Sequence, residues 1–400
     1  MSRLSRRGLV QAAAGAAASL PFGGRFAIGQ PARPEIVVAA AQPLTGVFSF
    51  AGASLHAGLG DYCAWRNAAG GVAGRQLRYV AEDTGFKVDQ GVAVFKKLMA
   101  SEKPSFFYGD RTEWSKAVAR EALASGTVMT GSASLAGAMA DPQNMPHHFI
   151  SGPSYGAMHE VLMETIAREA GSGPKPNVAL MYTDTEFGTD GIRASKARAE
   201  KLGLPIVAEL VTKQSGIDVA AEVSRLRRSR PDIIVAQGYI VAPVAELYKQ
   251  LREAGLKSRV LGTMWMLDHA TYDGVAGVGE RLEGVAPYRY SHDTESPMLG
   301  AIRDHLAKNR PGMGRVSIFY LNAWLTGMIY AEVAERCITA DKPLTQPNMT
   351  AALRSITNWD AGGIVGLPVD LSGHQISSGR LYRYSPDLKR MEPASDWIRV

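Results

Sequence analysis

The sequence predicts an α/β protein of two lobes, each a parallel sheet flanked by helices. Short apolar runs of strand length alternate with stretches of roughly 10–15 residues at helical spacing, the pattern of successive βαβ units. Two such series of similar size follow one another, with the break at Gly152, and from about Leu282 a mostly helical return follows. The composition agrees: 400 residues, 46% hydrophobic and 20% charged, describe an ordinary globular chain and exclude disorder, collagen and coiled coil.

The N-terminus reads as an export signal over residues 1–29. Arg3, Arg6 and Arg7 precede an uncharged, alanine-rich stretch from Gly8 to Phe22, and Ala27-Ile28-Gly29 offers small residues for cleavage. The run Ser5-Arg6-Arg7-Gly8-Leu9-Val10-Gln11 resembles the twin-arginine signature. The segment holds four arginines and no acid, so its removal takes 44 basic residues to 40 against 38 acids, and the net charge from +6 to +2. A near-neutral mature chain gives no electrostatic case for nucleic acid.

After a linker at 30–34, Ile36 to Ala41 suits a buried parallel strand. Leu55, Leu59, Tyr62 and Cys63 then lie at helical spacing, up to a Gly70-Gly71 stop. Strand 77–81, helix 92–99, strand 106–108, helix 116–124, and strands 127–130 and 148–151 complete the first series. The second has helix 155–170, strand 178–182, a helix ending at Gly203, strand 206–211, helix 219–229, strand 233–237, a helix stopped by Gly255, and strand 260–262. The return has strand 284–288, helices 298–309, 319–339 and 349–356, and a hairpin around 381–390. Ile318 to Ala331 carries no charge, but at about 1.5 Å per residue it reaches only about 21 Å of a roughly 30 Å hydrocarbon core, so it reads as a buried helix. Cys63 and Cys337 are too few for a disulfide framework or a thiolate zinc site, and one bridge or two free thiols are both open.

Ligands of open α/β sheets sit beyond the carboxyl ends of the strands. That points to the loops 43–52, 109–115, 131–135, 182–191, 238–240 and 263–268, which are polar and aromatic together. Gly131-Ser132-Ala133-Ser134 is read as a strand end opening a helical turn, with N–H groups and hydroxyls suited to a carboxylate. The enzyme alternative is Gly152-Pro153-Ser154-Tyr155-Gly156, which fits G-x-S-x-G between strand and helix. A serine hydrolase using Ser154 would draw on Asp268 with His269, His292 or His374. No HGGG-type segment precedes the serine, and Pro153 is out of place in a strained elbow. The first strand leads into Pro43-Leu44-Thr45-Gly46, neither a dinucleotide fingerprint nor a Walker loop. His147-His148 diverge on a strand without a ligand cluster, and the basic run Arg225, Arg227, Arg228, Arg230 closes a helix. No cofactor, metal or nucleic acid is expected.

Pro43-Leu44-Thr45-Gly46, the helix ending Asn67-Ala68-Ala69-Gly70-Gly71-Val72-Ala73-Gly74-Arg75, Glu82-Asp83 with Asp89, Asp184-Thr185-Glu186-Phe187-Gly188-Thr189-Asp190-Gly191, Pro231-Asp232-Ile233-Ile234, Ala254-Gly255-Leu256 and Leu282-Glu283-Gly284-Val285 occur in this order. Together they resemble the branched-chain amino acid (Leu/Ile/Val)-binding type of ABC transporter substrate-binding protein, a type I periplasmic binding protein. The resemblance implies two Rossmann-like lobes joined by a three-strand hinge, with lobe 1 at 31–152 plus 286–365 and lobe 2 at 153–285 plus 366–400. It implies a soluble periplasmic receptor, monomeric, that closes on a small-molecule ligand and serves an inner-membrane ABC permease. Gly152-Pro153-Ser154 becomes a hinge crossing. Ser132 and Ser134 match the carboxylate-binding segment, helped by Arg111, Thr112 and Glu113; Phe187 and Tyr239 close from lobe 2, with Phe50 and Trp265 completing the ligand-binding set.

Two departures bear on the ligand. The 109–115 loop carries Arg111, Glu113 and Trp114 where small hydroxyl residues are usual, and Thr263-Met264-Trp265-Met266-Leu267 offers no acid for a ligand ammonium before Asp268. An unpartnered buried ammonium is costly. The expected solute is therefore an aromatic or other small organic acid, an amide, or a branched-chain or hydrophobic amino acid. A carboxylate without an α-amino group is favoured, with Asp268, Glu113 or Asp184 left as amine partners.

Overall fold

The computed structural model describes residues 34–213, 218–277 and 282–399, and the export segment expected at 1–29 lies outside them. Residues from Pro34 onward form one compact unit. Its first series runs β1 (Ile36–Gln42), α1 (Ser49–Ala68), β2 (Leu77–Asp83), α2 (Val88–Ser101), β3 (Phe106–Gly109), α3 (Thr112–Ser125) and β4 (Met129–Ser132). The second runs α4 (Tyr155–Ala170), β5 (Val178–Thr183), the short α5 (Glu186–Thr189), α6 (Ile192–Leu202), β6 (Ile206–Thr212), α7 (Ala220–Ser229), β7 (Ile233–Gln237), α8 (Val244–Glu253), β8 (Arg259–Thr263), α9 (His269–Gly274) and β9 (Leu282–Ala286). The return holds α10 (Pro297–Asn309), α11 (Ile318–Thr339) and α12 (Gln346–Arg354), then the hairpin β10 (Ser378–Ser385) and β11 (Arg390–Arg399).

These strands make two sheets, β2-β1-β3-β4 and β11-β10-β9-β8-β7-β5-β6. The first is all parallel; the second is parallel from β9 to β6 and takes the tail hairpin as an antiparallel edge. Helices cover both faces of the first sheet, and Ile36, Val38 and Ala40 of β1 face one core while Ala39 and Ala41 face another. The uncharged run from Ile318 is buried, as α11 packs along α1 with Gly58 against the Tyr320 carbonyl, so close that a Cβ at 58 would lie 2.3 Å from it. No described helix is long and apolar enough to cross a membrane. Cys63 and Cys337 are both free and buried.

Several expectations shift: the strands expected at 127–130 and 284–288 lie at Met129–Ser132 and Leu282–Ala286. Residues 148–151 make isolated bridges, His148 to Thr130 and Ile150 to Gln375, because the segment leaves one neighbour for another after two residues. Helix α3 begins at Thr112 instead of near Lys116, since Arg111 is extended and its carbonyl accepts from Ser115 N.

A buried polar network joins the crossings between the sheets. Asn322 of α11 donates to Ser151 Oγ at 2.9 Å and to the Tyr288 hydroxyl at 2.8 Å, and accepts from the Tyr108 hydroxyl of β3. Tyr288 donates to the Ser151 carbonyl at 2.8 Å, and Thr326 donates to Ser151 Oγ at 3.2 Å. Asn322→Leu leaves these groups unmatched in a dry interior and is expected to cost about 2–4 kcal/mol in urea unfolding.

Burial holds His148 neutral, pushed down to about 3 with help from His147 and His374, while His147 and His159 are pushed to about 4. Unfolded histidine takes up its proton near pH 6.5, so the unfolded chain binds more protons between about pH 6.5 and 4 and stability falls as pH falls through that window. His148→Gln should reduce the slope of unfolding free energy against pH there by about 1.4 kcal/mol per unit. An unchanged slope would show that His148 is protonated in the native state.

Candidate functional site

The carboxyl ends of β1, β3 and β4 face those of β5, β7 and β8 across one cleft. The cleft is partly open to solvent. Pro43, Phe48, Phe86 and the run Asp110–Glu113 line one side with Ala133 and Ser134. Tyr155, Phe187, Gly238, Ile240 and Trp265 line the other, and Phe319, at the start of α11, closes the floor with Leu55. Six of the lining side chains are aromatic.

One carboxylate organises the loops on the first side. Asp83, last in β2, accepts from the backbone N–H of Leu44 at 2.8 Å, Thr45 at 3.0 Å and Gly85 at 2.9 Å, and from the Thr45 hydroxyl. These bonds hold its carboxyl below the usual range although burial opposes them. The turn places Phe86 at φ +59°, a left-handed conformation that costs a non-glycine residue free energy. Its ring meets Phe48, centroids 4.0 Å apart, and underlies Arg111, whose guanidinium carbon is 3.1 Å from the ring centroid.

Arg111 is thus a preoriented cation. Its Nε lies 3.4 Å from Asp110 Oδ1, and Asp110 Oδ2 accepts from Thr84 Oγ1 at 2.7 Å. The Arg111 side chain is 13% exposed and that of Asp110 2%. Burial raises the Asp110 carboxyl's hold on its proton and weakens that of Arg111, while each charge counters the shift of the other. Arg111 Nη2 is buried with no hydrogen-bond partner. The first backbone N–H groups of α3, at 112–114, also lack acceptors among the described residues, so a helix N-terminus and an unmatched guanidinium N–H belong to one wall.

The 131–134 segment is arranged differently from its sequence reading. No helical turn opens at Ala133; the next is the 3₁₀ turn Gly137–Met139. Ala133 N donates to the Gly109 carbonyl, and Ser134 N donates to Ser132 Oγ at 3.1 Å, so neither is free for an anion. Ser132 is buried and also accepts from Ser115 Oγ at 2.9 Å. Ser134 Oγ does reach the cleft wall, paired with Thr112 Oγ1 at 2.7 Å.

Of the candidate residues, Arg111, Thr112, Glu113, Ser134, Phe187 and Trp265 line the cleft and Ser132, Tyr239 and Phe50 do not. Tyr239 follows Gly238, whose φ of +90° turns the chain, and its hydroxyl pairs with Thr212 Oγ1 at 2.8 Å. Phe50 is 38% exposed, with its ring edge-on to Phe319 at 6.1 Å. Phe48, Phe86, Tyr155 and Phe319 were not singled out. The polar loop 43–52 held the signal for Phe48, and Tyr155 sat in the elbow-like motif; Phe319 in an apolar helix gave none. Trp265 stacks on Phe319 at 4.7 Å and 13°, and its indole N–H donates to the Tyr155 hydroxyl at 2.7 Å. Asp268 does not reach the cleft: its carboxylate accepts from Ser317 Oγ at 2.7 Å, Ile318 N at 2.9 Å and Ala270 N at 3.0 Å.

The hydrolase alternative finds no support in these partners. Ser154 is the N-cap of α4, its Oγ accepting from Ala157 N at 3.2 Å, and its own N–H donates to Gln375. His269 Nδ1 does lie 3.3 Å from Asp268 Oδ1, but the hydrogen bonds of Ser154 go to Ala157 and Gln375 and to neither of them; His374 Nδ1 is bound to the His148 carbonyl at 2.8 Å, and His292 lies beside Glu392. No group of His, Cys, Asp or Glu able to hold a metal occurs among the described residues.

A sequence profile of the periplasmic binding proteins matches residues 35–384. Among solved structures, a branched-chain amino acid ABC transporter from Thermus thermophilus with bound valine aligns with TM-score 0.82 at 22% identity, covering 92% of this chain and 97% of that one. A fatty acid ABC transporter substrate-binding protein from Thermomonospora curvata aligns at 0.79 and 18%, covering 92% and 93%. A branched-chain amino acid transporter substrate-binding protein from Streptococcus pneumoniae in complex with isoleucine aligns at 0.75 and 16%, covering 92% and 100%. No curated protein sequence matches significantly. A fluorophosphonate probe is expected to leave Ser154 unmodified; an adduct there by mass spectrometry would reinstate the hydrolase.

Proposed function

The chain belongs to the periplasmic binding protein family, and from that premise we propose that it captures a small, largely apolar carboxylate for an ABC importer by closure of its two lobes. The observation that carries the reading is Arg111 Nη2, a buried donor without an acceptor in an otherwise aromatic cleft. A carboxylate there supplies the missing acceptor, and charge-assisted bonds in a desolvated site are the stronger class. Thr112, Ser134 and the first N–H groups of α3 complete the anion's surroundings, and the rings take the apolar body. The structural neighbours named for valine, isoleucine and fatty acid all concern a carboxylate with an apolar portion.

Lobe 1 at 31–152 plus 286–365 and lobe 2 at 153–285 plus 366–400 are the proposed moving parts. The Lys116–Glu186 ion pair and the bond from Gly137 N to Asp190 at 3.2 Å then join one lobe to the other in the closed form. Ligand bridging both walls shifts the population towards that form, which an inner-membrane permease recognises. Residues 1–29 direct export to the periplasm, and the receptor works as a monomer.

A thermal-shift screen of amino acids, aromatic and aliphatic carboxylates, amides and amines tests the reading. A carboxylate at a hundred times its Kd should add about 2.7 kcal/mol. Arg111→Gln should weaken the best carboxylate by about 10–100-fold in calorimetry, and because it leaves the buried Asp110 carboxylate unpaired it should also lower the ligand-free unfolding midpoint. Ligands without a carboxylate binding equally well would overturn the assignment.

A further inference from the structure

Arg111 Nη2 is matched by a second unused donor on the facing wall of the cleft. This is the hydroxyl of Tyr155, the first residue of α4 and 1% exposed. Its oxygen accepts from the Trp265 indole N–H at 2.7 Å, and the Leu135 backbone N–H is also directed at it. A phenolic oxygen that receives donors still has its own proton to give. That proton meets no acceptor among the described residues. Burial pushes the phenol's pKa up and the nearby Asp190 and Glu113 carboxylates add to the shift, so the proton stays on the oxygen at neutral pH. The surroundings of the hydroxyl belong to the cleft: Trp265, Glu113 and Phe187, whose ring centroid lies 5.0 Å from that of Tyr155, all line it. Holding the Trp265 indole uses only the oxygen's lone pair, makes no distinction among ligands and leaves the proton unused. A buried O–H without an acceptor costs free energy that an acceptor on the ligand recovers. With two carboxylates acting on the same spot, that acceptor is an uncharged oxygen and not a second anion.

We propose that the Tyr155 hydroxyl is a second ligand-recognition point, donating to an uncharged oxygen that the ligand carries apart from the carboxylate at Arg111. The proposal rests on the assignment of Arg111 to the carboxylate and narrows the ligand to an oxo, hydroxy or ether acid. The oxygen belongs to the part of the ligand that the aromatic wall encloses, since Tyr155 stands in that wall. A hydrocarbon acid of the same shape fills the space but strands the O–H, and a site built to hydrogen-bond a ligand group discriminates against the analogue that lacks it.

The test is calorimetry with acids in which one oxygen is exchanged for a methyl group of similar size. The pairs are 4-oxopentanoate with 4-methylpentanoate, 4-methyl-2-oxopentanoate with 2,4-dimethylpentanoate, and 3-(4-hydroxyphenyl)propanoate with 3-(4-methylphenyl)propanoate. In at least one pair the oxygen ligand should bind the wild type at least about tenfold tighter than its methyl partner. Tyr155→Phe should bring that ratio close to one by weakening the oxygen ligand and sparing the methyl partner. Because Tyr155→Phe alone strands the Trp265 N–H, the double variant Tyr155→Phe/Trp265→Phe, which removes donor and acceptor together, is measured beside it and should show the same loss of preference. Equal binding within every pair, or a preference that survives Tyr155→Phe, overturns the proposal and leaves the carboxylate reading standing. Methyl esters binding as tightly as their acids, or silence from every acid, overturn the Arg111 assignment first and the proposal with it.

Discussion

Everything in this molecule turns on the buried polar junction of Asn322, Ser151, Tyr288, Tyr108 and Thr326. The two parallel sheets present their strand ends to each other, and the chain crosses between them. Crossing segments carry backbone and side-chain polar groups that a dry interior tolerates only when matched. Asn322 is suited to that place because its amide both donates and accepts, tying α11 and β3 to two different crossings at once. The bonds of this junction converge on a few buried atoms of Asn322, Ser151 and Tyr288.

The cleft follows from the same topology. In parallel sheets every strand ends on the same side, which gathers six polar loops into two facing walls. On one wall Asp83 spends a full carboxylate on loop geometry, and through Phe86 that geometry fixes the Arg111 plane. On the other wall the Tyr155–Trp265–Phe319 contact joins α4, the Met264–Leu267 turn and α11 into one aromatic surface. Arg111 on one wall thus faces an apolar aromatic surface on the other.

The fold was legible in the sequence to a degree that the site was not. Strand runs such as Ile233–Gln237 and helix stops such as Gly203, in the left-handed conformation, are set by local chemistry. The helical return was equally readable, since an uncharged run too short for a bilayer has to be buried. Site residues depend on the parity of a strand end and on where the next helix begins. Arg111, Thr112 and Glu113 reach the cleft because α3 starts four residues earlier than apolar spacing suggests, the extended Arg111 serving as its N-cap. Ser132 and Tyr239 fail to reach it because one hydroxyl is consumed within its own segment and one ring is turned aside by Gly238. Phe319 belongs to an apolar helix whose residues look alike until the packing partner is known.

The Glu113 side chain has a different standing from its neighbours. Asp83, Asp110, Ser132 and Asp268 each hold several groups in place, and losing any of them disturbs the scaffold. Glu113 makes no hydrogen bond or ion pair among the described residues, so changes there fall within the small range typical of positions without structural partners. The shape of the cleft is fixed by committed residues, and Glu113 lines it without belonging to that frame. Such a scaffold is well placed to diversify among related receptors, and to be retuned as a ligand sensor without redesign of its core.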